Sequence, residues 1–198
     1  MQRLFVTVTV PLISLCATFI LLYTLIPKPT TPVEEKKSVQ VTTHTVTPTV
    51  VPKPVQLTIK DIDVSSPITP TGLTSEGDMA IDDDPQQVAW YQLGPKPGEE
   101  GSAVIAGHYG WKNGVPSIFN DLNKLVKGDE ISMTGEDGRV FTFVVTRTEL
   151  FAPNQDATTV FKSDDGKAHL NLITCQGSWN NSLSTYSERL VVFTELVE

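Results

Sequence analysis

The sequence contains few cysteines, and their positions exclude several kinds of site. Only two are present, Cys16 and Cys175. Cys16 lies in an apolar run that is predicted below to be in the membrane, out of reach of Cys175, so no disulfide is expected. The absence of a Cys-x-x-Cys pair or a His/Cys cluster argues against a structural zinc site. Cys175 is therefore predicted to be a free thiol, either a small buried residue or a nucleophile.

Positive charge is also scarce. The chain has 15 Lys and Arg residues against 23 Asp and Glu residues, which gives a formal net charge of −8. Nucleic acid is excluded as a partner, because neutralising phosphates requires clustered basic residues. The runs Asp82–Asp84 and Asp164–Asp165 leave calcium as an alternative, but Asp runs are common at turns and the Asp-x-Asp-x-Asp-Gly pattern is absent. We expect no metal and no cofactor.

One long apolar run is present at the amino terminus. From Leu4 to Ile26 the chain has no charged residue, and as a helix this segment is long enough to cross about 30 Å of hydrocarbon. A cleaved signal peptide is the alternative, but Leu25–Lys28 does not supply its small-residue cleavage pattern. Residues 1–26 are therefore predicted to be a single membrane anchor.

A proline- and threonine-rich segment follows the predicted anchor. Residues 27–54 contain six prolines and seven threonines and show no periodic apolar face, which is typical of an extended, solvated spacer. His44 falls in this stalk, where exposure to solvent is expected. Such a spacer suits a domain held off a membrane in an extracellular layer. We therefore expect the amino terminus in the cytoplasm and residues 55–198 outside the cell.

Residues 55–198 are predicted to form one mainly β domain. Short apolar runs between turn signals dominate it, which favours a closed or nearly closed β-barrel with one or two short helices. Helical spacing of apolar residues predicts one helix between Pro116 and Leu125, and a loop or one-turn helix is expected over Pro153–Phe161. The predicted extended segments are Val55–Ile59, Ile62–Val64 with Ile68, Ser102–Ala106, Glu130–Thr134, Arg139–Leu150, Ala168–Cys175 and Leu190–Leu196. Pro67 and Pro70 are expected to break the second of them.

Cys175 ends one of these predicted strands, with Gln176–Ser178 as the following loop, and a catalytic thiol there would need a base. His169 is six residues away on the same strand, about 20 Å at roughly 3.3 Å per residue, so it is excluded. His108 remains, at the end of another small apolar strand. Side chains at the ends of two strands can meet at one mouth of a barrel.

An arginine is the expected stabiliser of the oxyanion that forms when a thiolate attacks a carbonyl. Arg139 lies at a hairpin turn, where solvent exposure is expected. Arg147 shares strand parity with the apolar residues before it, so it could point into the barrel and stays an alternative. Arg189 begins the predicted final strand, which would return antiparallel beside Cys175. We prefer Arg189.

These residues resemble the sortases, the membrane-anchored cysteine transpeptidases of bacterial surfaces. The family marker Thr-Leu-x-Thr-Cys is matched by Asn171–Cys175, with Ala106–His108 upstream and Arg189 on the next strand. The resemblance extends over essentially all of 55–198 and is greatest to class F or the related D and E groups. Asn171 replaces the first threonine of the marker, a departure that we do not expect to affect the chemistry.

The resemblance implies an eight-stranded barrel and a two-step acyl transfer. Cys175 would attack the threonine carbonyl of an LPXTG-like sorting signal, Arg189 would stabilise the oxyanion, and His108 would protonate the departing amine. An amine of a peptidoglycan precursor or a pilin would then resolve the thioester. When no amine is present, water would attack the thioester instead, which would give hydrolysis of the peptide. The surface protein carrying the signal and the amine acceptor are the partners so implied.

Four further residues are predicted to contact the substrate. Thr174 precedes the cysteine, and Trp111, Trp179 and Tyr186 lie in predicted loops near the site, where they could line an apolar groove. Packing beneath long loops explains the three aromatic residues equally well, and a β-forming role explains Thr174. In the family that the chain resembles, pilus-building members carry a lid with an Asp-Pro-aromatic motif. Here Gln86 follows Asp84-Pro85, so the resemblance favours anchoring over pilus assembly.

Other functions remain open at this point. L,D-transpeptidases also use an extracellular cysteine and histidine, but their Ser-x-Gly-Cys context is absent around Cys175. Papain-like peptidases place cysteine before histidine, opposite to the order His108 then Cys175. An anchored β-domain that binds surface protein without catalysis would make Cys175 a core residue and leave His108 and Arg189 unrelated.

Overall fold

The computed structural model of the chain describes residues 50–197. The predicted anchor over residues 1–26, and the stalk as far as residue 49, lie outside the described residues. Among residues 50–197, no helix combines the length and the apolar character that spanning a bilayer requires.

Ten strands and one short α-helix make up the described domain. The strands are β1 Pro54–Ile59, β2 Val64–Thr71, β3 Val88–Tyr91, β4 Gly101–Gly107, β5 Trp111–Lys112, β6 Val115–Pro116, β7 Glu130–Gly135, β8 Val140–Phe151, β9 Ala168–Asn180 and β10 Thr185–Leu196. The helix α1 is Thr158–Phe161, and single 3-10 turns occupy Lys60–Ile62 and Leu122–Lys124.

Eight of the strands close into a barrel, as predicted. Their order is β1-β2-β3-β4-β9-β10-β8-β7, and β7 pairs with β1 to complete the ring. All neighbours are antiparallel except β2 with β3 and β4 with β9. Strand β9 therefore lies between β4 and β10, so the strands that carry His108, Cys175 and Arg189 in the sequence are neighbours in the sheet.

The barrel buries apolar side chains on both of its faces. The inner face forms the main core, which includes Leu170 and Leu172 of β9 and Leu190 and Val192 of β10. The alternate residues of the same strands face outward, since successive side chains of a strand point to opposite faces. They join a second cluster that is covered by α1, composed of Val104, Phe151, Val160, Val191 and Phe193 with Ile173 packed against it.

The prediction that prolines interrupt the second extended segment is wrong. Strand β2 runs unbroken through both Pro67 and Pro70. It pairs with β1 up to Pro67 and with β3 from Ile68 onward. Proline lacks only the N–H donor, so it fits a strand that exchanges one partner for another within its length.

The prediction of a helix between Pro116 and Leu125 is confirmed only for a single 3-10 turn, Leu122–Lys124. Backbone donors in this segment bond to carbonyls three residues back, as in Asn120 to Ser117 and Leu125 to Leu122, whereas an α-helix requires bonds four residues back. The apolar residues in the segment are nevertheless buried, since Phe119 is 0% exposed and packs in the main core.

Residues 50–54, the last part of the predicted stalk, pack against the barrel. Pro52 is buried, and a side chain at Gly135 would meet it. The carbonyl of Val50 accepts a hydrogen bond from Arg139, and that of Val51 accepts one from Lys96. The contacts with the domain therefore begin before residue 55.

Candidate active site

Cys175 lies within a long strand rather than at its end. Strand β9 continues to Asn180, so the predicted loop at Gln176–Ser178 is wrong. The cause is the partner strand, because β10 pairs with β9 as far as Thr185 and Asn180 and supplies the backbone partners that a loop would lack. On the other side of β9, pairing with β4 ends at Ala106 and Ile173. Cys175 is therefore just beyond the last residue of β9 that β4 covers.

The thiol faces the outside of the barrel. Cys175 has the parity of Ile173, which packs in the outer cluster, whereas Leu172 belongs to the main core. The site is thus a groove on the outer face of the sheet. The prediction of a site at one mouth of the barrel is wrong in this respect.

Arg189 lies directly opposite Cys175. The two residues pair in register across β9 and β10, which places the preferred arginine beside the thiol. It is the fifth residue of β10, whose start at Thr185 corrects the predicted strand boundary. The guanidinium donates to the carbonyls of Tyr186 and Glu188 at 3.2 and 3.0 Å and to the hydroxyl of Thr185 at 2.8 Å. Three acceptors of its own strand therefore fix its position.

Burial and charge act in opposite directions on the thiol. Burial raises the pKa of Cys175 above its ordinary value, because a thiolate is poorly solvated in the groove. The positive charge of Arg189 lowers the pKa, but its effect is the smaller one. Among residues 50–197, Cys175 is also the only cysteine and forms no disulfide.

Arg147, the alternative to Arg189, is placed elsewhere. The pairing of β8 with β10 shifts at a bulge, so that Phe193 pairs with Arg147 but Thr194 pairs with Val145. A bulge reverses the facing of the residues beyond it, which is why parity with the apolar residues before it failed as a guide. The guanidinium of Arg147 lies 3.4 Å from the centre of the Phe193 ring and pairs with Glu149.

His108 follows directly on β4 and lines the same cavity as Cys175 and Arg189. Its Nε2 donates to the backbone carbonyl of Asp82 at 2.7 Å. Because a carbonyl only accepts, Nε2 must carry a proton, and Nδ1 is the nitrogen left to exchange one. No hydrogen bond joins the imidazole to the thiol within residues 50–197, an arrangement that is common before substrate binds.

Thr174 connects the cysteine strand to the histidine strand. Its hydroxyl is buried and donates to the carbonyl of Gly107 at 2.8 Å. Gly107 directly precedes His108 and Thr174 directly precedes Cys175, so this bond sets the spacing between the end of β4 and the thiol. Thr174 also lines the cavity, and its contact with substrate stays a prediction.

The cavity next to the thiol has a volume of about 510 Å³. One side is formed by residues 152–161 of the β8–β9 connection. The prediction of a loop or one-turn helix over Pro153–Phe161 is confirmed by α1, but the sequence did not assign this segment to the site. The signal that could have assigned this segment to the site was a run that contains Pro153 and ends in apolar residues. The apolar residues of the lining include Met79, Ile81, Ala157, Val160, Phe161, Ile173 and Val191.

The three aromatic residues predicted to contact substrate lie outside this lining. Trp179 and Tyr186 face each other across β9 and β10 with ring centres 5.1 Å apart, and Tyr109 packs on the other side of Tyr186. Trp111 belongs to the β5–β6 pair and is 68% exposed. The structure brings none of them to the cavity, and their part in substrate binding stays a prediction.

The remaining candidates are accounted for locally. His169 lies near the start of β9, with Nδ1 on the carbonyl of Thr194 at 2.8 Å and Nε2 on the carboxylate of Asp165 at 2.9 Å. Within the described range 50–197, no three His, Cys, Asp or Glu residues are grouped so that they could hold a metal ion. The chemistry available to the groove is that of a thiol, an imidazole and a guanidinium.

Comparison with known proteins agrees with this arrangement. A sequence model of the family described as Sortase domain matches residues 57–197. No curated protein sequence matches the chain.

Several solved structures share the fold. Sortase C-1 from Actinomyces oris is 26% identical, with a TM-score of 0.57 over 74% of this chain and 76% of that one. A lid mutant of sortase A from Corynebacterium diphtheriae is 23% identical, with a TM-score of 0.58 over 76% and 73%. The sortase D5 transpeptidase from Clostridium perfringens is 22% identical, with a TM-score of 0.55 over 76% and 83%.

Proposed function

The chain belongs to the sortase family of cysteine transpeptidases, and from this premise we propose that it cleaves an LPXTG-like sorting signal after threonine and transfers the surface protein to an amine. The observation that carries the proposal is the convergence of Cys175, His108 and Arg189 on one cavity of a sortase barrel. The rest of the mechanism follows from the chemistry of these three groups.

In the first step, the sulfur of Cys175 attacks the carbonyl carbon of the signal's threonine. Arg189, held by three acceptors, stabilises the negative charge that develops on the carbonyl oxygen. Nδ1 of His108 takes the thiol proton as the sulfur attacks. The carbon–nitrogen bond then breaks, and His108 passes this proton to the departing amine. The product is a thioester on Cys175.

In the second step, the acceptor amine enters where the first amine left. His108, now neutral, takes a proton from this amine as its nitrogen attacks the thioester carbon. The carbon–sulfur bond breaks, a new amide forms, and His108 gives its proton to the sulfur, which regenerates the thiol. Water in place of the amine gives hydrolysis. A peptidoglycan precursor or a pilin supplies the amine in this proposal.

The apolar part of the cavity provides the subsite for the signal. Ala157, Val160 and Phe161 of the β8–β9 connection face the cavity beside Ile173 of the cysteine strand. A leucine and a proline ahead of the scissile bond can bury their side chains there, since recognition of apolar groups scales with the area removed from water.

The predicted anchor and stalk extend the proposal to location. We infer that residues 1–26 hold the chain in a bacterial membrane and that the catalytic domain stands outside the cell, where the signal and the amine acceptor are found. Membership of class F, or of the related D and E groups, is part of the same proposal.

A peptide-library cleavage assay on the full chain, with and without added amines, tests this function. We expect release of the fragment after threonine from LPXTG-type peptides, a ligated product when an amine is added, and no release by Cys175→Ala. Cleavage at other bonds, or cleavage that survives Cys175→Ala, would contradict the proposal. An Arg147→Ala variant is a matched control that should retain activity, because Arg147 stacks on Phe193 away from the cavity.

The second candidate function is a binding domain without catalysis. The raised pKa of the Cys175 thiol, which burial causes, is the observation that favours it. Thiol labelling separates the two functions, since a catalytic Cys175 should react with small electrophiles and lose reactivity in His108→Ala, whereas a core cysteine should be unaffected by that change.

A further inference from the structure

Asn171 is a buried polar residue on the strand that carries the thiol. It is 1% exposed and shares the outward parity of Cys175, four residues later on β9. The neighbourhood on this face is the apolar outer cluster, so an amide is an unexpected occupant. Its Nδ2 donates to the backbone carbonyl of Val160 at 2.7 Å.

The orientation of this amide follows from its partner. A backbone carbonyl only accepts, so the nitrogen of the amide must face Val160 and the oxygen must face the other way. Within residues 50–197, that Oδ1 is one of three buried side-chain polar atoms that have no hydrogen-bond partner. An unpaired buried acceptor lowers stability, because it has lost its hydrogen bonds to water. A role for the Nδ2 bond would explain why such a residue is present.

The hydrogen bond from Asn171 stabilises α1, which is too short to be stable alone. Helix α1 consists of only four residues, and the carboxylate of Asp156 accepts the N–H of Thr158 at its start. One turn of helix is unstable in isolation, and its last carbonyls lack partners within the helix. Asn171 supplies a partner to one of them. It thereby connects α1 to β9, which is fixed on both sides by β4 and β10.

The same helix forms one side of the cavity at Cys175. Ala157, Val160 and Phe161 all line it. We propose that Asn171 is a positioning residue, which acts through Val160 to hold the apolar side of the groove where the sorting signal binds. This inference rests on the proposed function for its substrate, but the mechanical part, the attachment of α1 to β9, does not.

Loss of the bond should weaken binding and leave the chemistry nearly intact. Cys175, His108 and Arg189 are carried by β9, β4 and β10, whose ladders do not depend on the Asn171 side chain. A loosened α1 would therefore raise the KM for the signal peptide with little change in kcat.

Asn171→Leu in the full chain is the main test, because leucine keeps the branching of the side chain and removes both the donor and the unpaired oxygen. We expect a KM about three- to tenfold higher at similar kcat, as for loss of one hydrogen bond. Amide exchange should become faster at Val160 and Lys162, whose N–H groups donate within the α1 turn. Asn171→Thr, which keeps a shorter donor, should lie between the wild type and the leucine variant.

Thr194→Val is the matched control. Thr194 is buried on the neighbouring strand and bonds to the backbone of Leu170, away from the cavity. Its loss should lower stability without changing KM or the exchange of α1. Unchanged KM and unchanged exchange in Asn171→Leu would overturn the proposal, as would an equal rise of KM in Thr194→Val. If the wild type cleaves no sorting-signal peptide, the proposed function fails, but the exchange of Val160 and Lys162 still decides the role of Asn171.

Discussion

At the scale of single residues, burial and the charge of Arg189 have opposite effects on the thiol of Cys175. Burial raises its pKa more than Arg189 lowers it, so the net effect disfavours the thiolate. Catalysis then depends on bringing His108 to the sulfur, since the two are not hydrogen-bonded within the described residues.

Replacing Arg189 by methionine should raise the pKa of Cys175 further, because only the burial effect then remains. At any fixed pH below that pKa the thiolate fraction falls, so alkylation by iodoacetamide should slow and its pH profile should shift to higher pH. The measurement is the alkylation rate against pH. Arg147→Met is the control, since its guanidinium lies over Phe193 and should leave the profile unchanged. A profile that shifts to lower pH in Arg189→Met would contradict this account.

Sequence reasoning identified Cys175 and His108 because the chain offers so few alternatives, and the structure places both at one cavity. It ranked Arg189 above Arg147 by only a small margin. The direction of the Arg147 side chain is set by a bulge between β8 and β10. That bulge depends on long-range pairing and leaves no clear mark in the sequence. The role of Asn171 was missed for a similar reason, because its partner Val160 is eleven residues away in the chain and meets it only in the folded barrel.

At the scale of elements, the end of β4 is a point of tight packing. A Cβ atom at Gly107 would come within 2.6 and 2.9 Å of ring carbons of Phe119. Phe119 is 0% exposed and cannot move aside without disturbing the core. Gly107 also accepts the hydrogen bond from Thr174 and directly precedes His108. This one position therefore links the core to the catalytic groups.

Gly107→Ala should destabilise the domain and lower activity together. We expect a loss of about 1–3 kcal/mol in the free energy of unfolding, as for other overpacked core positions. The reason is the clash with Phe119, and its relief would displace the chain at His108. Urea denaturation and peptide cleavage measure the two effects.

Gly72→Ala is the control for this prediction. A Cβ at Gly72 meets nothing within 4 Å, so stability and cleavage should stay close to those of the wild type. Equal stability of Gly107→Ala and the wild type would show that the core at Phe119 accommodates the extra methyl group and would contradict the packing argument.

The strands were easier to predict than the segments between them. Alternating apolar residues identified the β7–β8 hairpin and most of the barrel, because a strand's own sequence records which face is buried. The helix expected between Pro116 and Leu125 is reduced to one 3-10 turn, because the backbone donors there bond three residues back instead of four. The extension of β9 past Cys175 likewise depends on its partner β10 rather than on the local turn residues.

At the scale of the whole molecule, the barrel presents its chemistry on an outer face and not in its interior. The inner face is filled by the main core, and the groove is formed between that sheet and the β8–β9 connection. Substrate can therefore bind along the surface without opening the barrel. The predicted anchor and the stalk as far as residue 49 lie outside the described residues, and their role of holding this face away from a membrane remains part of the proposal.

The central claim is that Cys175 forms a thioester with the threonine carbonyl at the cleaved bond of a sorting signal. Intact-mass spectrometry of the full chain tests it most directly. Incubation with an LPXTG-type peptide should add the mass of the peptide up to its threonine, and adding an amine should remove that mass and yield the ligated product. The adduct should be absent in Cys175→Ala. Peptide cleavage by the Cys175→Ala variant, or failure of the wild type to gain the adduct or cleave any such peptide, would contradict the account.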